Sequence, residues 1–397
     1  MTIKKGFILT TVLSVVTLIA FAQTSPGIID DEDYQAQLLR QQRKGARIIP
    51  TAVPLLMIAP DSRAGSMGDI GAATTPDANS NHWNAAKLAF ADKKMQASFT
   101  YSPWLRDIAG DIDLAYLSGY YKLNNRSAVG FSLTYFSLGN IQFTDNQGTS
   151  LGTYSPNEFA VDVSYSMKLS EYLSASVTGR YIRSDLTQGQ NVGTSTTHAA
   201  NAVAADLGLY YQRDIAADKP QQVAFGVQIS NLGNKISYSD DDMISSFLPA
   251  NLRIGGRYTY DMDQFNKFSF MVDLNKLLVP TPPIRNEDGE VLLGKENNVG
   301  ILQGVFQSFY DAPDGFSEEF KEINWSVGAE YWYNNLLAVR AGYFYENKLK
   351  GDRQYLTMGV GLKYNSLGID LSYLVPTASH NNNPLKNTLR VSLSFSF

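Results

Sequence analysis

The sequence predicts an all-β fold: a 14-stranded antiparallel transmembrane β-barrel whose lumen is plugged by the segment preceding it. Three observations carry this. From Met95 to Phe397, apolar and polar residues alternate with a period of two, as strands require when one face meets lipid and the other an enclosed interior. The connections between these segments alternate, short and then mostly long, as in outer-membrane barrels with tight periplasmic turns and larger extracellular loops; a soluble sandwich has no reason to keep that parity. The chain also holds 23 Tyr and 20 Phe in 397 residues, yet its mean hydropathy is only −0.19, because the two faces cancel in the average.

Residues 1–22 read as a secretory signal: Lys4 and Lys5, an apolar run over 7–19, and the small-x-small cleavage site Ala20-Phe21-Ala22. The run is shorter than the roughly 20 apolar residues a spanning helix needs. Gln23 follows where a lipoprotein would carry Cys. Residues 23–47 form a polar leader, with Asp30, Asp31, Glu32 and Asp33 ahead of Arg40, Arg43, Lys44 and Arg47, and poor order is expected there. Residues 48–93 change texture to small residues, Gly, Pro and Asn with a few large apolar anchors, which predicts the compact, irregular plug.

The barrel, 94–397, follows. Its predicted strands are 94–103, 109–122, 126–138, 157–168, 173–184, 200–213, 222–232, 249–260, 267–276, 323–333, 336–346, 353–364, 367–375 and 388–397. The last is the clearest: Leu389, Val391, Leu393, Phe395 and Phe397 share one face, and Arg390, Ser392, Ser394 and Ser396 the other. An even strand number, with the short turns periplasmic, predicts both termini on the periplasmic side.

The polar faces carry Asp111, Asp113, Asp162, Arg180, Asp206, Arg253, Arg257, Asp273, Glu330, Arg340 and Asp370. At the bilayer midplane a lipid-facing Arg or Lys costs about 2–4 kcal/mol, so these charges are assigned to the lumen. Both signs occur on neighbouring strands, which predicts a paired, filled interior rather than a wide pore. Tyr120, Tyr121, Tyr135, Tyr210, Tyr211, Tyr258, Trp332, Tyr343 and Tyr373, near strand ends, are the predicted aromatic girdle.

Several functions are excluded or disfavoured. With no cysteine, thiol catalysis, disulfides and sulfur-ligated metals are ruled out. His82, His198 and His380 lack metal-ligand spacing. A net charge of −5 gives no basic stripe for nucleic acid. No nucleophile elbow, zincin helix or phosphate loop occurs, so no enzyme, cofactor or metal is expected. Asp240-Asp241-Asp242 lacks the alternating ligands of a calcium loop and reads as a solvated cluster.

The plug carries the most specific strings: Val53-Pro54, Ala59-Pro60-Asp61-Ser62-Arg63-Ala64-Gly65 and His82-Trp83-Asn84. With them go Asp273-Leu274-Asn275-Lys276, Pro280-Thr281-Pro282-Pro283, Ser308-Phe309-Tyr310-Asp311-Ala312-Pro313, Gly328-Ala329-Glu330-Tyr331-Trp332-Tyr333 and Arg340-Ala341-Gly342-Tyr343. From about residue 48 to the C-terminus the chain resembles the PorV (LptO) family, FadL-type outer-membrane proteins of the type IX secretion system. Asn84-Ala85-Ala86 stands where FadL-type plugs usually carry Asn-Pro-Ala, so this turn loses the rigidity of proline. The resemblance implies a shuttle that takes the C-terminal signal domain of secreted cargo from the translocon, a SprA-like barrel, to the sortase PorU, in a complex with PorQ and PorZ. It also implies contact with outer-membrane lipid and lipopolysaccharide, with an indirect role in lipopolysaccharide deacylation. The alternative reading is a FadL-like transporter of hydrophobic small molecules, which needs an apolar pocket beside the plug.

Within the plug, Gly65, Gly68 and Gly71 suit tight turns in a crowded lumen, and Arg63 and Asp69 are expected to pair with the wall charges. Trp83 is expected to wedge against the wall. With Asp61 and Asn84, these residues read as packing groups rather than ligands. The connection over 277–322 is too long for an idle hairpin loop. Pro280, Pro282 and Pro283 stiffen its start, and Ile301, Leu302, Val305, Phe306 and Phe309 follow at helical spacing. Either this loop docks a partner or it folds over the barrel mouth and buries itself.

Overall fold

The structure, a computed structural model, describes residues 46–105, 110–144, 147–190, 196–216, 221–239, 245–377, 385 and 388–397. The signal segment, nearly all of the leader, Asp240-Asp241-Asp242 and His380 lie outside these residues.

Alternation becomes wall. The chain forms β1 (Met95–Pro103), β2 (Asp113–Lys122) and β3 (Ser127–Ser137), a loop hairpin β4 (Ile141–Thr144) and β5 (Ser150–Tyr154), then β6 (Asn157–Lys168), β7 (Leu173–Asp185), β8 (Ala200–Ala216), β9 (Gln221–Gly233), β10 (Asn251–Asp261) and β11 (Asn266–Leu277). A second loop hairpin, β12 (Ile284–Arg285) and β13 (Val291–Leu293), precedes β14 (Asn324–Tyr333), β15 (Leu337–Tyr345), β16 (Gln354–Tyr364), β17 (Leu367–Pro376) and β18 (Leu389–Ser396). Apart from the two hairpins, the strands close into a barrel in which each pairs antiparallel with its neighbours, and β1 with β18. All fourteen predicted strands are present, the largest shift being β2, which starts at Asp113 rather than 109.

The outer face is apolar: Val163 is 59% and Val203 63% exposed, while their inward neighbours Asp162, Ser164, Ala202 and Ala204 are buried. No helix among the described residues is long and apolar enough to cross a membrane. Tight turns fix the register at one rim. Between β14 and β15, Asn334 and Asn335 are both left-handed (φ 53° and 52°), and the Leu336 N–H donates to the Tyr333 carbonyl at 3.0 Å, a two-residue turn of the type that matches strand twist. Within the described barrel wall the register shifts at two places, both on the β8–β9 pair.

The plug enters at the long-loop rim and descends. The Arg47 N–H donates to the Leu349 carbonyl at 2.8 Å, and the Ala52 N–H to Phe247 at 2.9 Å. Two single-turn helices follow, α1 (Ser62–Gly65) and α2 (Ser80–Trp83), and then a 3-10 turn over Ala85–Phe90. Its hydrogen-bond partners lie all around the wall: Ser392 to Ser62, Thr357 to Gly68, Asp273 to Gly71, Ser132 to Asn81, Leu209 to Asn84 and Ser174 to Ala86. Val53, Met67, Ile70, Ala72 and Leu88 have no exposed surface.

Two expectations need correction. Tyr120, Tyr210 and Trp332 do not belong to the girdle: strand parity turns them inward, where Tyr120 and Tyr210 are buried and Trp332 lies 5.5 Å from the Arg340 guanidinium. Tyr121, Tyr135, Tyr258 and Tyr373 do stand outside. Asp113 has the outer parity, and its carboxylate takes the Tyr101 hydroxyl at 2.6 Å. Asp111 precedes the strand and accepts from the Asn140 N–H at 2.8 Å. Proximity to the rim, where water reaches both faces, tolerates these carboxylates.

Candidate functional site

Three charge clusters join plug to wall. In the first, Arg63 from α1 meets Glu330 at 2.9 Å and Asp77 at 2.8 Å, and Glu330 also binds Arg340 at 2.6 Å, which reaches Asp370 at 2.6 Å. In the second, Arg180 bridges Asp162 at 2.6 Å and Asp206 at 3.0 Å and also donates to Asn231. Ser132 links Asp162 to the plug residue Asn81. In the third, Asp273 accepts the Gly71 and Ala72 N–H groups at 2.8 and 3.0 Å and faces Arg253 at 3.4 Å. Arg257 donates to the Ala73 carbonyl at 3.0 Å. Buried charges are tolerated only when compensated: the three clusters are ion-paired, and Arg257 is met by neutral acceptors, Ala73, Thr259 and Gln222 among them.

The remaining plug residues are placed as follows. Asp61 caps α1 through the Ala64 N–H at 2.9 Å and takes the Trp83 indole N–H at 2.5 Å, while Arg253 stacks over the Trp83 ring at 4.6 Å. The Asp69 carboxylate meets no cation: it accepts the Tyr355 hydroxyl at 2.5 Å, and its backbone carbonyl takes Arg253. Asn84 replaces the rigidity of proline with hydrogen bonds, accepting from the Ala86 N–H at 3.1 Å and donating to the Ala72 and Leu209 carbonyls. Gly68 (φ +74°) lies where a side chain would strike the Tyr343 backbone, and Gly342 opposite gives the Met67 backbone its place against the wall. Gly65 abuts Arg390, and Gly71 abuts the Trp83 ring.

On the short-turn side of the plug a chamber of about 580 Å³ opens, lined by Arg63, Asp77, Lys93, Arg257, Glu330 and Lys363 among others. On the other side a space of about 50 Å³ is lined by Arg180, Arg253, Arg353, Asn251 and Asn324 among others. Both linings are rich in charged and amide groups. Among the described residues no group of His, Asp and Glu could hold a metal ion.

The long connection between β11 and β14 builds the second region. Pro280 is buried, and Pro282 and Pro283 are half-buried. Helix α3 (Ile301–Gln307) turns Gly304 and Gln307 inward, and a side chain at Gly304 would meet Phe247 and Pro280. The apolar residues therefore point out: Leu302 is 72% and Phe306 68% exposed, and Phe309 is exposed too, while Ile301 and Val305 are half-buried. On α4 (Phe316–Glu319), Phe316 (74% exposed) packs edge-on against Phe320 (59% exposed), centroids 4.7 Å apart.

Beneath these rings lies a cluster that sequence reasoning missed. Glu318 binds Arg47 and Lys350, each at 2.7 Å; Glu322 binds Lys350 at 2.8 Å and Lys276 at 2.6 Å; Glu319 binds Lys276 at 3.0 Å. The signal was available in Glu318-Glu319 and Glu322, three acids within five residues, interleaved with Phe316, Phe320 and Ile323. Burial alone would raise the Glu318 carboxyl, but hydrogen bonds from Arg47 and Lys350 outweigh it and hold it at about 2. Burial pushes Asp311 up to about 6, against the Thr281 N–H that it accepts. The result is an anchored loop with its aromatic rings outside.

With this geometry in hand, the comparisons decide the family. The family model described as type IX secretion system protein PorV matches residues 40–284. The chain belongs to the PorV family. It is thus an outer-membrane β-barrel component of type IX secretion. Among solved structures, a TodX deltaS2S3 mutant monoaromatic hydrocarbon channel is 14% identical with a TM-score of 0.51, over 85% of this chain and 99% of that one, and marks the fold as FadL-like. The Ralstonia pickettii toluene transporter TbuX is 14% identical (TM-score 0.47, 85% of this chain, 98% of that one). A Pseudomonas aeruginosa FadL homologue is 11% identical (TM-score 0.44, 89% and 100%). No curated protein matches the sequence. For this PorV-family chain the match to the family model ends at residue 284, so the aromatic loop surface lies beyond it.

Proposed function

We propose that this protein is a non-enzymatic shuttle and attachment-complex component, which binds the C-terminal signal domain of secreted cargo at a SprA-like translocon and delivers it to the sortase PorU, with PorQ and PorZ. The observation that carries the reading is the pairing of an exposed aromatic surface on α3 and α4 with a buried ionic anchor beneath it. Large apolar side chains left exposed on an anchored loop mark a docking site. Large rings held on a fixed base lose little freedom when a partner covers them. The transporter alternative is less well supported, since both chambers beside the plug are lined with charged and amide groups.

The test is affinity purification from native membranes of the wild type and of a variant carrying Leu302→Ser, Phe306→Ser, Phe316→Ser and Phe320→Ser. The variant is expected to reach the outer membrane in normal amount and to lose at least ten-fold in cargo recovery. Undiminished cargo recovery overturns the loop as the cargo site. A lipid held between plug and wall would favour transport.

A further inference from the structure

We infer that the short-turn rim carries a docking surface for an acidic polypeptide segment: a basic arc on one side of the barrel mouth, set around the end of the plug. The ring order places the β16–β17 turn, the β18–β1 seam, the β2–β3 turn and the β6–β7 turn side by side. Between them they carry Lys363, Lys93, Lys94, Lys122, Arg126 and Lys168, against Asp92 and Glu171. The turns that complete the rim reverse the balance: their described residues hold Arg213 and Lys267 with Asp214, Asp261 and Asp263. There Lys267 already faces Asp261 at 3.6 Å. In the arc, no ion pair to any of the six cations occurs among the described residues.

The arc is tightly knit. The Lys122 N–H donates to the Lys94 carbonyl at 2.8 Å, and the Lys168 N–H to the Arg126 carbonyl at 2.7 Å. The Lys122 ammonium donates to the Ala91 carbonyl at 2.6 Å, and that of Lys168 sits 4.4 Å over the Phe90 ring, so both lie against the last residues of the plug. Lys93 and Lys363 line the chamber of about 580 Å³ that opens there. Like charges gathered without counter-charges repel one another, and such a surface draws an oppositely charged partner. Strand parity says from where. Lys122, Lys168 and Lys363 share the pleat face of Tyr120, Ser166 and Gly361, which are buried inside the wall. Their charges therefore gather at the lumen mouth, away from lipid phosphates outside the wall; Lys94 leans the other way, over the outward Tyr121 ring at 5.5 Å. The occupant is a polypeptide that approaches along the barrel axis and presents Asp and Glu, with the chamber giving room for a few of its residues. With the short turns periplasmic, it belongs to a periplasmic protein. The surface lies at the rim opposite α3 and α4, so it stands or falls independently of the cargo site.

The test uses the full-length protein in zwitterionic phosphatidylcholine nanodiscs and, as probe, a fluorescein-labelled peptide of alternating Glu and Ser. The wild type is expected to bind this peptide, with an affinity that falls about ten-fold as salt rises from low to above physiological strength. A variant carrying Lys93→Glu, Lys122→Glu, Lys168→Glu and Lys363→Glu is expected to lose about ten-fold in affinity at low salt. Arg213→Glu with Lys267→Glu, on the other side of the rim, is expected to keep the wild-type affinity. Heat-modifiable migration checks that each barrel is folded. If the four-fold variant fails that check, Lys93→Glu with Lys363→Glu, both at exposed positions, replaces it with an expected loss of about three-fold. No binding by the wild type, or equal losses in the two reversed sets, overturns the inference. So does phosphatidylglycerol that native mass spectrometry finds retained by the wild type and lost from the four-fold variant, because it assigns the lysines to lipid headgroups.

Discussion

Glu330 holds two guanidinium groups at once, Arg63 of the plug and Arg340 of the next strand, and has almost no contact with solvent. Glu330→Ala would leave two buried cations sharing only Asp77 and Asp370, and breaking a buried pair from one side costs about 3–5 kcal/mol. The expected outcome is a barrel that still forms but a plug whose amides over 62–77 exchange faster, measured by hydrogen–deuterium exchange in detergent. Unchanged protection there would show that the cluster does not hold the plug. Part of this cluster was legible in the sequence. Glu330 and Arg340 sit directly opposite across β14–β15, as Asp162 and Arg180 do across β6–β7, so a register set by a short turn brings each pair together. The Arg63 contact is 267 residues away in sequence and follows from no local pattern.

At the scale of elements, the long connection acts as a unit whose attachment depends on protons. Asp311, raised to about 6, holds a proton in the docked loop that it would release when undocked; its contribution therefore falls as pH rises from about 4 to 6 and is flat above. Glu318, held at about 2, contributes stability that is present above its ordinary value of 4.5 and is lost as pH falls toward 2. Amide protection over 278–323, followed between pH 4 and 7, should decline across the first window, and Asp311→Asn should remove the slope. An unchanged slope in that variant would assign it to another group. Helical spacing found α3 but assigned its apolar stripe no side. Gly304, the one residue small enough to pass Phe247 and Pro280, turned the stripe outward. Tyr120, Tyr210 and Trp332 went astray for a related reason, because an aromatic near a strand end is read by depth alone, whereas the pleat decides which face it takes.

For the whole molecule, strand count and order were readable because one long period-two pattern repeats with few interruptions, and the wall is built from local hairpins. The plug was legible only as irregular chain, since its contacts are long-range and nothing local orders them. A filled lumen predicts that the purified protein in planar bilayers shows no stepwise conductance at moderate voltage. Porin-like steps of steady size would mean that the plug leaves in the membrane.

The seam between β1 and β18 has a consequence for biogenesis. The ring cannot shut until the ribosome has finished the last strand, whereas the material that fills its centre is made first. The occupant can therefore be in position while the cylinder is still an open sheet, and the late pairing of Phe99 with Leu393 encloses it. Insertion after closure would instead require charged chain to travel the length of a finished bore.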